Sequence, residues 1–215
     1  MRGRGGFVTL EGIEGAGKST QMEVVRSCLA ERGFPVLVTR EPGGSPVAER
    51  IRQVLLDPAN RGMASDAELL LMFAARSEHI ERTIRPALER GTWVVCDRFT
   101  DATYAYQGGG RGIDVRRISL LEGVVQGDLR PDLTLLLDLP VTVGLGRAGR
   151  RSAPDRFESE TRPFFDQVRA AYLALARAQP ERIRTLDASA PMLQVSAEVR
   201  RLVEDFLDGI HASIQ

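Results

Sequence analysis

Short apolar runs separated by longer helical stretches form the most regular pattern in the chain. Five runs have the length and composition of buried strands, at 7–11, 36–39, 93–97, 133–138 and 183–187. After the first run, four residues recur on one helical face: Met22, Val25, Cys28 and Leu29. Apolar strands that alternate with helices are typical of a parallel sheet covered on both faces. The pattern therefore predicts a three-layer α/β fold with a five-stranded parallel sheet.

Length and composition favour one domain. The chain has 215 residues, 43% of them hydrophobic, without internal repeats or linkers, so we expect a single domain over 1–215 with a flexible tail at 1–6. Twenty-nine basic and 29 acidic residues cancel, which argues against general binding to nucleic acid or to a membrane surface. No run approaches the ~18 apolar residues of a membrane span, and the first residues lack an apolar signal core, so we expect a cytoplasmic protein. Cys28 and Cys96 are predicted to be buried, reduced thiols.

The segment 12–19 fits the phosphate-loop pattern G-x-x-x-x-G-K-[ST]. It follows the first predicted strand and precedes a predicted helix, which is the context that this loop requires. Its glycines let backbone N–H groups point inward, and the start of the helix adds partial positive charge. Lys18, the only lysine in the chain, should reach the outer phosphates of a nucleotide, and the Ser19 hydroxyl should hold Mg²⁺.

Charged residues at the ends of two further strands extend this predicted site, because ligands collect at the carboxyl edge of a parallel sheet. Arg40 can bind a phosphate through two hydrogen bonds; the alternative is a solvated arginine in a turn. Asp97 fits the carboxylate that organises Mg²⁺ directly or through water. Because Arg98 is next to it, a surface ion pair is the alternative.

Phe73 and Arg76 lie three residues apart on a predicted helix and share one face. The ring could stack on a nucleobase while the guanidinium donates to a carbonyl; a core position for Phe73 is the alternative. His79 and His211 have no Cys or His at metal-ligand spacing, so both are interpreted as structural or surface residues. Mg²⁺, held through the nucleotide, is the only metal that the sequence suggests.

The segment 147–156 has the composition of a mobile lid. It is basic and is interrupted by the helix breakers Gly149 and Pro154. A lid that closes over a phosphate loop would exclude water from the reaction. An ordinary solvated loop is the alternative.

Together these segments resemble the bacterial thymidylate kinase family over nearly the whole chain. Six segments carry the likeness, at 11–20, 39–44, 73–76, 97–99, 106–112 and 130–134. The phosphate loop is generic, whereas Thr-Arg-Glu-Pro-Gly-Gly at 39–44 and Tyr-Gln-Gly at 106–108 are specific to the family. The resemblance implies transfer of the γ-phosphoryl group of ATP to thymidine monophosphate with Mg²⁺. It also implies a homodimer, for which an apolar helix at 69–75 or 120–125 could supply the interface.

By this resemblance, one group of residues would bind ATP and Mg²⁺. The nucleotide would be held by Gly12, Gly15, Ala16, Gly17, Lys18, Ser19, Thr20 and, near the adenine, Arg147. Ser19 and Asp97 would hold Mg²⁺. Some family members place an arginine of the phosphate loop on the transferred phosphate, but Ala16 stands there in this chain. The lid would supply it instead, from Arg147, Arg150, Arg151 or Arg156, with Arg151 favoured.

A second group would bind the phosphate and sugar of the acceptor. Arg40 and Arg98 would hold the acceptor phosphate. Glu14 would face the sugar 3′-hydroxyl, and Tyr106 would clash with a ribose 2′-hydroxyl and so select deoxyribose. The catalytic residues implied are Lys18, Asp97, Arg98 and Arg151.

A third group would bind the base. Phe73 would stack on thymine, Arg76 would donate to its carbonyl oxygen, and Thr103 and Gln107 would lie along it. Phe99 departs from the family pattern, which usually has tyrosine or histidine there, so any hydrogen bond from that side chain is lost.

Two other functions stay open from the residues alone. One is a kinase for a different small acceptor, such as another nucleotide. The other is a nucleotide-dependent switch that binds ATP without transferring its phosphate. The pair of Arg40 and Arg98 favours a kinase, because a switch has no need to hold an acceptor phosphate.

Overall fold

A parallel sheet forms the centre of the molecule. The computed structural model describes residues 4–149 and 155–212; the predictions for residues 1–3, for Arg150 and Arg151 and for the His211 side chain lie outside this description. The strands of the described residues are β1 (Phe7–Glu11), β2 (Val36–Arg40), β3 (Trp93–Asp97), β4 (Leu133–Asp138) and β5 (Ile183–Asp187). All of their pairings are parallel, in the order β2-β3-β1-β4-β5. The predicted fold class is confirmed, and only β2 is one residue longer than expected.

Helices cover both faces of this sheet. Those of the described residues are α1 (Lys18–Glu31), α2 (Pro46–Leu56), α3 (Ser65–His79), α4 (Arg85–Glu89), α5 (Thr100–Thr103), α6 (Val115–Gln126), α7 (Val141–Ala148), α8 (Arg162–Ala178) and α9 (Met192–Ala212). A 3₁₀ turn at Pro58–Asn60 follows α2, and wider π-helical turns at Ile80–Ile84 and Tyr104–Gly110 follow α3 and α5. Among the described helices, none combines the length and the apolar character needed to cross a membrane.

Strand β1 explains why the apolar runs are continuous. Successive side chains of a strand point to opposite faces, and here each face is covered by a core. Val8 and Leu10 belong to the main core with α1, α8 and α9, whereas Phe7 belongs to a second core under α4. Both cysteines are buried and free, as predicted.

The central position of β1 sets the place of the site. It pairs with β3 on one side and with β4 on the other. The strands before β4 are therefore added on one side of β1, and β4 and β5 are added on the other side. In such sheets ligands bind at the carboxyl ends of the strands next to this switch point. The register pairs Leu10 with Asp97, which brings the ends of β1 and β3 together.

The glycines before β1 are part of the fold. Gly5 N donates to Leu88 O at 2.8 Å, and Gly6 O accepts from Val94 N at 2.9 Å. A Cβ atom on Gly5 would lie 2.1 Å from Thr92 O, so only glycine allows this approach. Backbone hydrogen bonds thus join Gly5 and Gly6 to the fold, and the flexible tail at 1–6 stays a prediction.

Candidate active site

The phosphate loop bends where its glycines are. Gly12, Gly15 and Gly17 have φ values of 138°, 72° and 88°, which side chains rarely adopt. Helix α1 begins at Lys18, directly after Gly17, and no side chain caps its first turn in the described structure. The uncapped N–H groups and the helix dipole therefore face the loop interior, where they would attract an anion. Ser19 and Thr20 are exposed in this first turn.

Lys18 is held inside the loop. It is 9% exposed, and Nζ donates to Gly12 O at 3.2 Å and to Ile13 O at 3.3 Å. Burial, and then the charge of Arg98, lower the pKa of Lys18. Burying an ammonium group is costly, and its described hydrogen-bond partners are two carbonyl oxygens. A bound phosphate would supply the negative charge that offsets this cost.

One cavity of about 240 Å³ opens beside the loop. It lies at the carboxyl ends of β1, β2 and β3. The predicted site residues that line it are Glu14, Gly15, Lys18, Arg40, Arg76, Asp97, Arg98, Thr103, Tyr106 and Gln107. The structure thus brings the phosphate loop and the two predicted arginines for the acceptor into one space.

Arg98 is the centre of a polar cluster in this cavity. Its φ of 68° is the only positive value of a non-glycine residue in the described chain. Nη2 donates to Glu14 at 3.0 Å, Nη1 donates to the Tyr172 hydroxyl at 3.1 Å, and the guanidinium lies 4.7 Å from the centre of the Tyr106 ring. Burial alone would lower the pKa of Arg98, but Tyr106, Tyr172 and Glu14 outweigh it and raise that pKa well above its ordinary value. Arg98 is therefore a fixed positive charge.

Two further arginines approach from β2 and α2. Arg40 is half-exposed and pairs with Glu49 at 2.9 Å. Arg52, which the sequence analysis missed, lines the same cavity and donates to Pro42 O at 2.7 Å. Burial, followed by the charge of Arg40, lowers the pKa of Arg52. Because these positive charges lie close together, an anion bound in the cavity would stabilise the charged forms of both arginines.

Asp97 carries a buried oxygen without a partner. In the described structure Oδ1 accepts no hydrogen bond. Such an atom is costly unless water or a cation meets it. No group of three or more His, Cys, Asp or Glu in the described residues could hold a metal by itself. The donor set therefore fits a hard cation that receives most of its ligands from phosphate and water.

Arg76 occupies the other end of the cavity. Its guanidinium lies between the rings of Phe73 and Phe99, 5.0 and 5.2 Å from their centres. Nε donates to Glu41 at 2.7 Å, and Nη2 donates to Thr103 Oγ1 at 3.0 Å. Nη1 is buried and has no partner in the described structure. The Nη1 amino group is thus rigidly held and free to donate to a ligand.

Phe73 does not reach the cavity. It is 2% exposed and packs in a core cluster with Leu69, Ile113 and Ile118. Met72, four residues before Arg76, lines the cavity instead. Met72 and Phe73 precede Arg76 by four and three residues, so either could share its helical face. The packing of the helix turns Phe73 toward the core. This packing agrees with the core alternative for Phe73, and its stacking on a base stays a prediction.

Two of the four lid arginines have partners elsewhere in the protein. Arg147 Nη1 donates to Ala188 O at 2.9 Å. Arg156 is buried, with Nε 2.6 Å from Leu55 O and Nη1 2.5 Å from Glu68. Arg150 and Arg151 lie outside the described residues.

Glu11 and His79 support the site from behind. Glu11 is fully buried, accepting from Phe99 N and from the Tyr172 hydroxyl, each at 2.7 Å. Burial, and then the charge of Asp101, raise the pKa of Glu11 to about 8. His79 lies 3.0 Å from Glu41, the partner of Arg76, and is structural, as predicted. An acidic residue at the end of an apolar strand was the one sequence signal for Glu11.

Comparisons with known proteins agree with this geometry. The family model described as thymidylate kinase matches residues 10–199. A thymidylate kinase of Pseudomonas entomophila (strain L48) is 59% identical over 204 residues, or 95% of each chain. One from Alcanivorax borkumensis (strain ATCC 700651 / DSM 11573 / NCIMB 13689 / SK2) is 56% identical over 205 residues, or 95% of this chain and 98% of the relative. The crystal structure of thymidylate kinase from Ehrlichia chaffeensis has a TM-score of 0.75 and 32% identity, covering 93% of this chain and 99% of that one. The chain belongs to the thymidylate kinase family.

Proposed function

We propose that the cavity binds ATP and thymidine monophosphate together and transfers the γ-phosphoryl group between them, giving ADP and thymidine diphosphate. As a member of its family the protein is a nucleoside monophosphate kinase that acts on thymidine monophosphate. One observation carries the assignment of both substrates to this cavity. Lys18 of the phosphate loop and Arg76, with its unpartnered Nη1, line the same space.

At the ATP end, the chain supplies positive charge and backbone donors. The N–H groups after Gly15 and the Lys18 ammonium would bind the phosphates. Ser19 and Asp97 would hold Mg²⁺, and the unpartnered Oδ1 of Asp97 supports this role. When bound, Mg²⁺ would neutralise the charge that develops on the transferred phosphate.

At the acceptor end, Arg40, Arg52 and Arg98 would hold the phosphate of thymidine monophosphate. This phosphate is the nucleophile, and it is already ionised near pH 7, so no general base is assigned. Phosphoryl transfer needs mainly positioning and stabilisation of charge, which fixed guanidinium groups provide. Glu14 and Tyr106, bound to each other and to Arg98, would lie at the sugar.

At the base, Arg76 Nη1 would donate to a thymine carbonyl, with Thr103 and Gln107 along the ring. Met72 lines the cavity beside Arg76 and would also contact the base, on which Phe73 is predicted to stack. A thioether is soft and makes favourable contacts with aromatic rings.

Arg151 is proposed as the arginine that meets the transferred phosphate, with Arg150 as the alternative. Arg147 and Arg156 have partners in the protein, as described above. A donor from the lid would act only when the lid is closed and water is excluded, which limits hydrolysis of ATP.

A homodimer is proposed through α3 and α6. These helices contact each other and expose apolar side chains: Leu70, Val115, Leu120 and Val124. Leu120 is 70% and Val124 75% exposed, which is unusual for neighbouring apolar residues on one helix. Sedimentation of the wild type and of Leu120→Asp should give a dimer and a monomer; a wild-type monomer would contradict the proposal.

ADP release from ATP and Mg²⁺, measured across a panel of nucleoside monophosphates, tests the proposed reaction. We expect strong, selective turnover with thymidine monophosphate and almost none without an acceptor or with EDTA. Preference for another acceptor would overturn the base assignment, and acceptor-independent ADP release would favour the switch.

A further inference from the structure

The carboxylate of Glu68 is buried behind the base end of the cavity. It lies in the first turn of α3, has no exposed surface and does not line the cavity. Three side chains that are distant in sequence donate to it: Gln107, Arg111 and Arg156. A buried carboxylate is stable only with such partners.

Two guanidinium groups keep Glu68 ionised. Arg111 donates to both oxygens at 3.1 Å, through Nε to Oε1 and through Nη2 to Oε2. Arg156 Nη1 lies 2.5 Å from Oε2. Burial by itself raises the pKa of Glu68, but the hydrogen bonds from Arg111, Gln107 and Arg156 outweigh it and lower that pKa. An ionised carboxylate has no proton to donate and can only accept.

This arrangement fixes the orientation of the Gln107 side chain. Gln107 Nε2 lies 2.9 Å from Glu68 Oε1. Because Glu68 only accepts, the amide nitrogen of Gln107 must face it, and the orientation of the amide follows from this hydrogen bond. Gln107 also lines the cavity, and its carbonyl oxygen, which points away from Glu68, is the acceptor that it can present to a ligand.

We propose that Glu68 is a positioning residue for base recognition, because it holds Gln107 as a hydrogen-bond acceptor toward the base. The inference rests on the proposed function, in which Gln107 lies along thymine. Thymine and uracil carry a hydrogen on N3, whereas cytosine has a lone pair there and an amino group in place of the C4 carbonyl. An accepting Gln107 next to a donating Arg76 matches thymine and uracil and opposes cytosine.

Glu68→Gln tests this role because it keeps the shape and removes the charge. Two guanidinium groups donate to Oε2, those of Arg111 and Arg156, whereas Oε1 accepts from Gln107 and from Arg111 Nε. The new amide should therefore keep its oxygen on the Oε2 side and turn its NH₂ group toward Gln107. Gln107 would then accept from residue 68 and present its own NH₂ group to the base. We expect the ratio of kcat/KM for dTMP over dCMP to fall about tenfold, the effect of one misdirected hydrogen bond.

Uracil provides an internal control, because dUMP has the same hydrogen-bonding edge as dTMP. The ratio of dTMP over dUMP should therefore change less than about twofold. In a Gln107→Leu background, Glu68→Gln should leave the ratio of dTMP over dCMP unchanged, because Glu68 acts through Gln107.

If both ratios fall together, or if the effect persists without Gln107, Glu68 merely supports the pocket and the proposal is overturned. Unchanged selectivity in an active variant would overturn it as well. A wild type that does not phosphorylate dTMP would contradict the proposed function itself, which is a different result.

The wild type offers a measurement that does not need a folded Glu68 variant. The side-chain NH₂ signals of Gln107 can be identified by their absence in the NMR spectrum of Gln107→Leu. The proton that Gln107 donates to Glu68 should exchange slowly with solvent, both without ligand and with dTMP, because the buried carboxylate holds it. Exchange as fast as that of an exposed glutamine would overturn the proposal.

Discussion

Glu11→Gln should remove a large part of the pH dependence of stability. Glu11 is fully buried with a pKa of about 8, against an ordinary value of 4.5. Between these two pH values the folded protein keeps a proton that the unfolded chain loses. The stabilisation is complete below pH 4.5 and is lost as the pH rises through 8. Its slope is about 1.4 kcal/mol per pH unit, and its total is at most about 5 kcal/mol.

Glutamine is a neutral substitute of the same shape at this position. Its oxygen can accept from Phe99 N, and its NH₂ group can donate to the Tyr172 hydroxyl. The free energy of unfolding of the wild type, relative to that of the variant, should therefore fall by about 1.4 kcal/mol per pH unit from pH 5.5 to 8.

Urea unfolding at half-unit steps of pH measures this difference. Glu23→Gln is a matched control, because Glu23 is exposed and Arg26 lowers its pKa, so its titration lies below the range of the assay. The control should follow the wild type in parallel. Parallel curves for wild type and Glu11→Gln would refute the assignment of a raised pKa to Glu11.

Three variants test the transfer chemistry. Lys18→Ala should lower kcat by about 10²–10³-fold or more while the fold stays intact, since Lys18 donates only to two loop carbonyls among its described partners; near-normal turnover would exclude the phosphate-loop role. Arg151→Ala should lower kcat by about 10³-fold and change KM for ATP little; a larger loss in Arg150→Ala would move the assignment there. Tyr106→Ala should raise the use of a ribonucleotide acceptor relative to dTMP, and an unchanged ratio would remove Tyr106 from sugar selection.

Contiguous patterns predicted the sheet and the phosphate loop well. The strands are short and apolar because both faces are covered, so composition alone locates them within one residue. The loop is recognisable because its glycines, Lys18 and Ser19 lie within eight consecutive positions and are all predicted to bind the nucleotide phosphates or Mg²⁺. Their conformations depend on neighbours in sequence, which is the information that a single chain carries most directly.

Features that depend on distant contacts were harder to predict. From the sequence alone, Met72 and Phe73 are equally able to share the helical face of Arg76. Only the packing of α3 shows that Phe73 points to the core. Arg156 looked like a lid residue, but its partners lie 88 and 101 positions away. Glu11 meets Tyr172 across 161 positions, and no local pattern reports that pairing.

The contact between the phosphate loop and α7 has a consequence for how the sequence can vary. A Cβ atom on Gly15 would lie 2.0 Å from Gly144 O, and one on Gly144 would lie 2.6 Å from Glu14 O. The backbones of the two segments thus approach each other so closely that neither glycine can carry a side chain. A methyl group at either position would displace the backbone that carries Glu14. In a library of single variants, position 144 should tolerate as little change as the loop itself, although its residue has no side chain to offer a substrate.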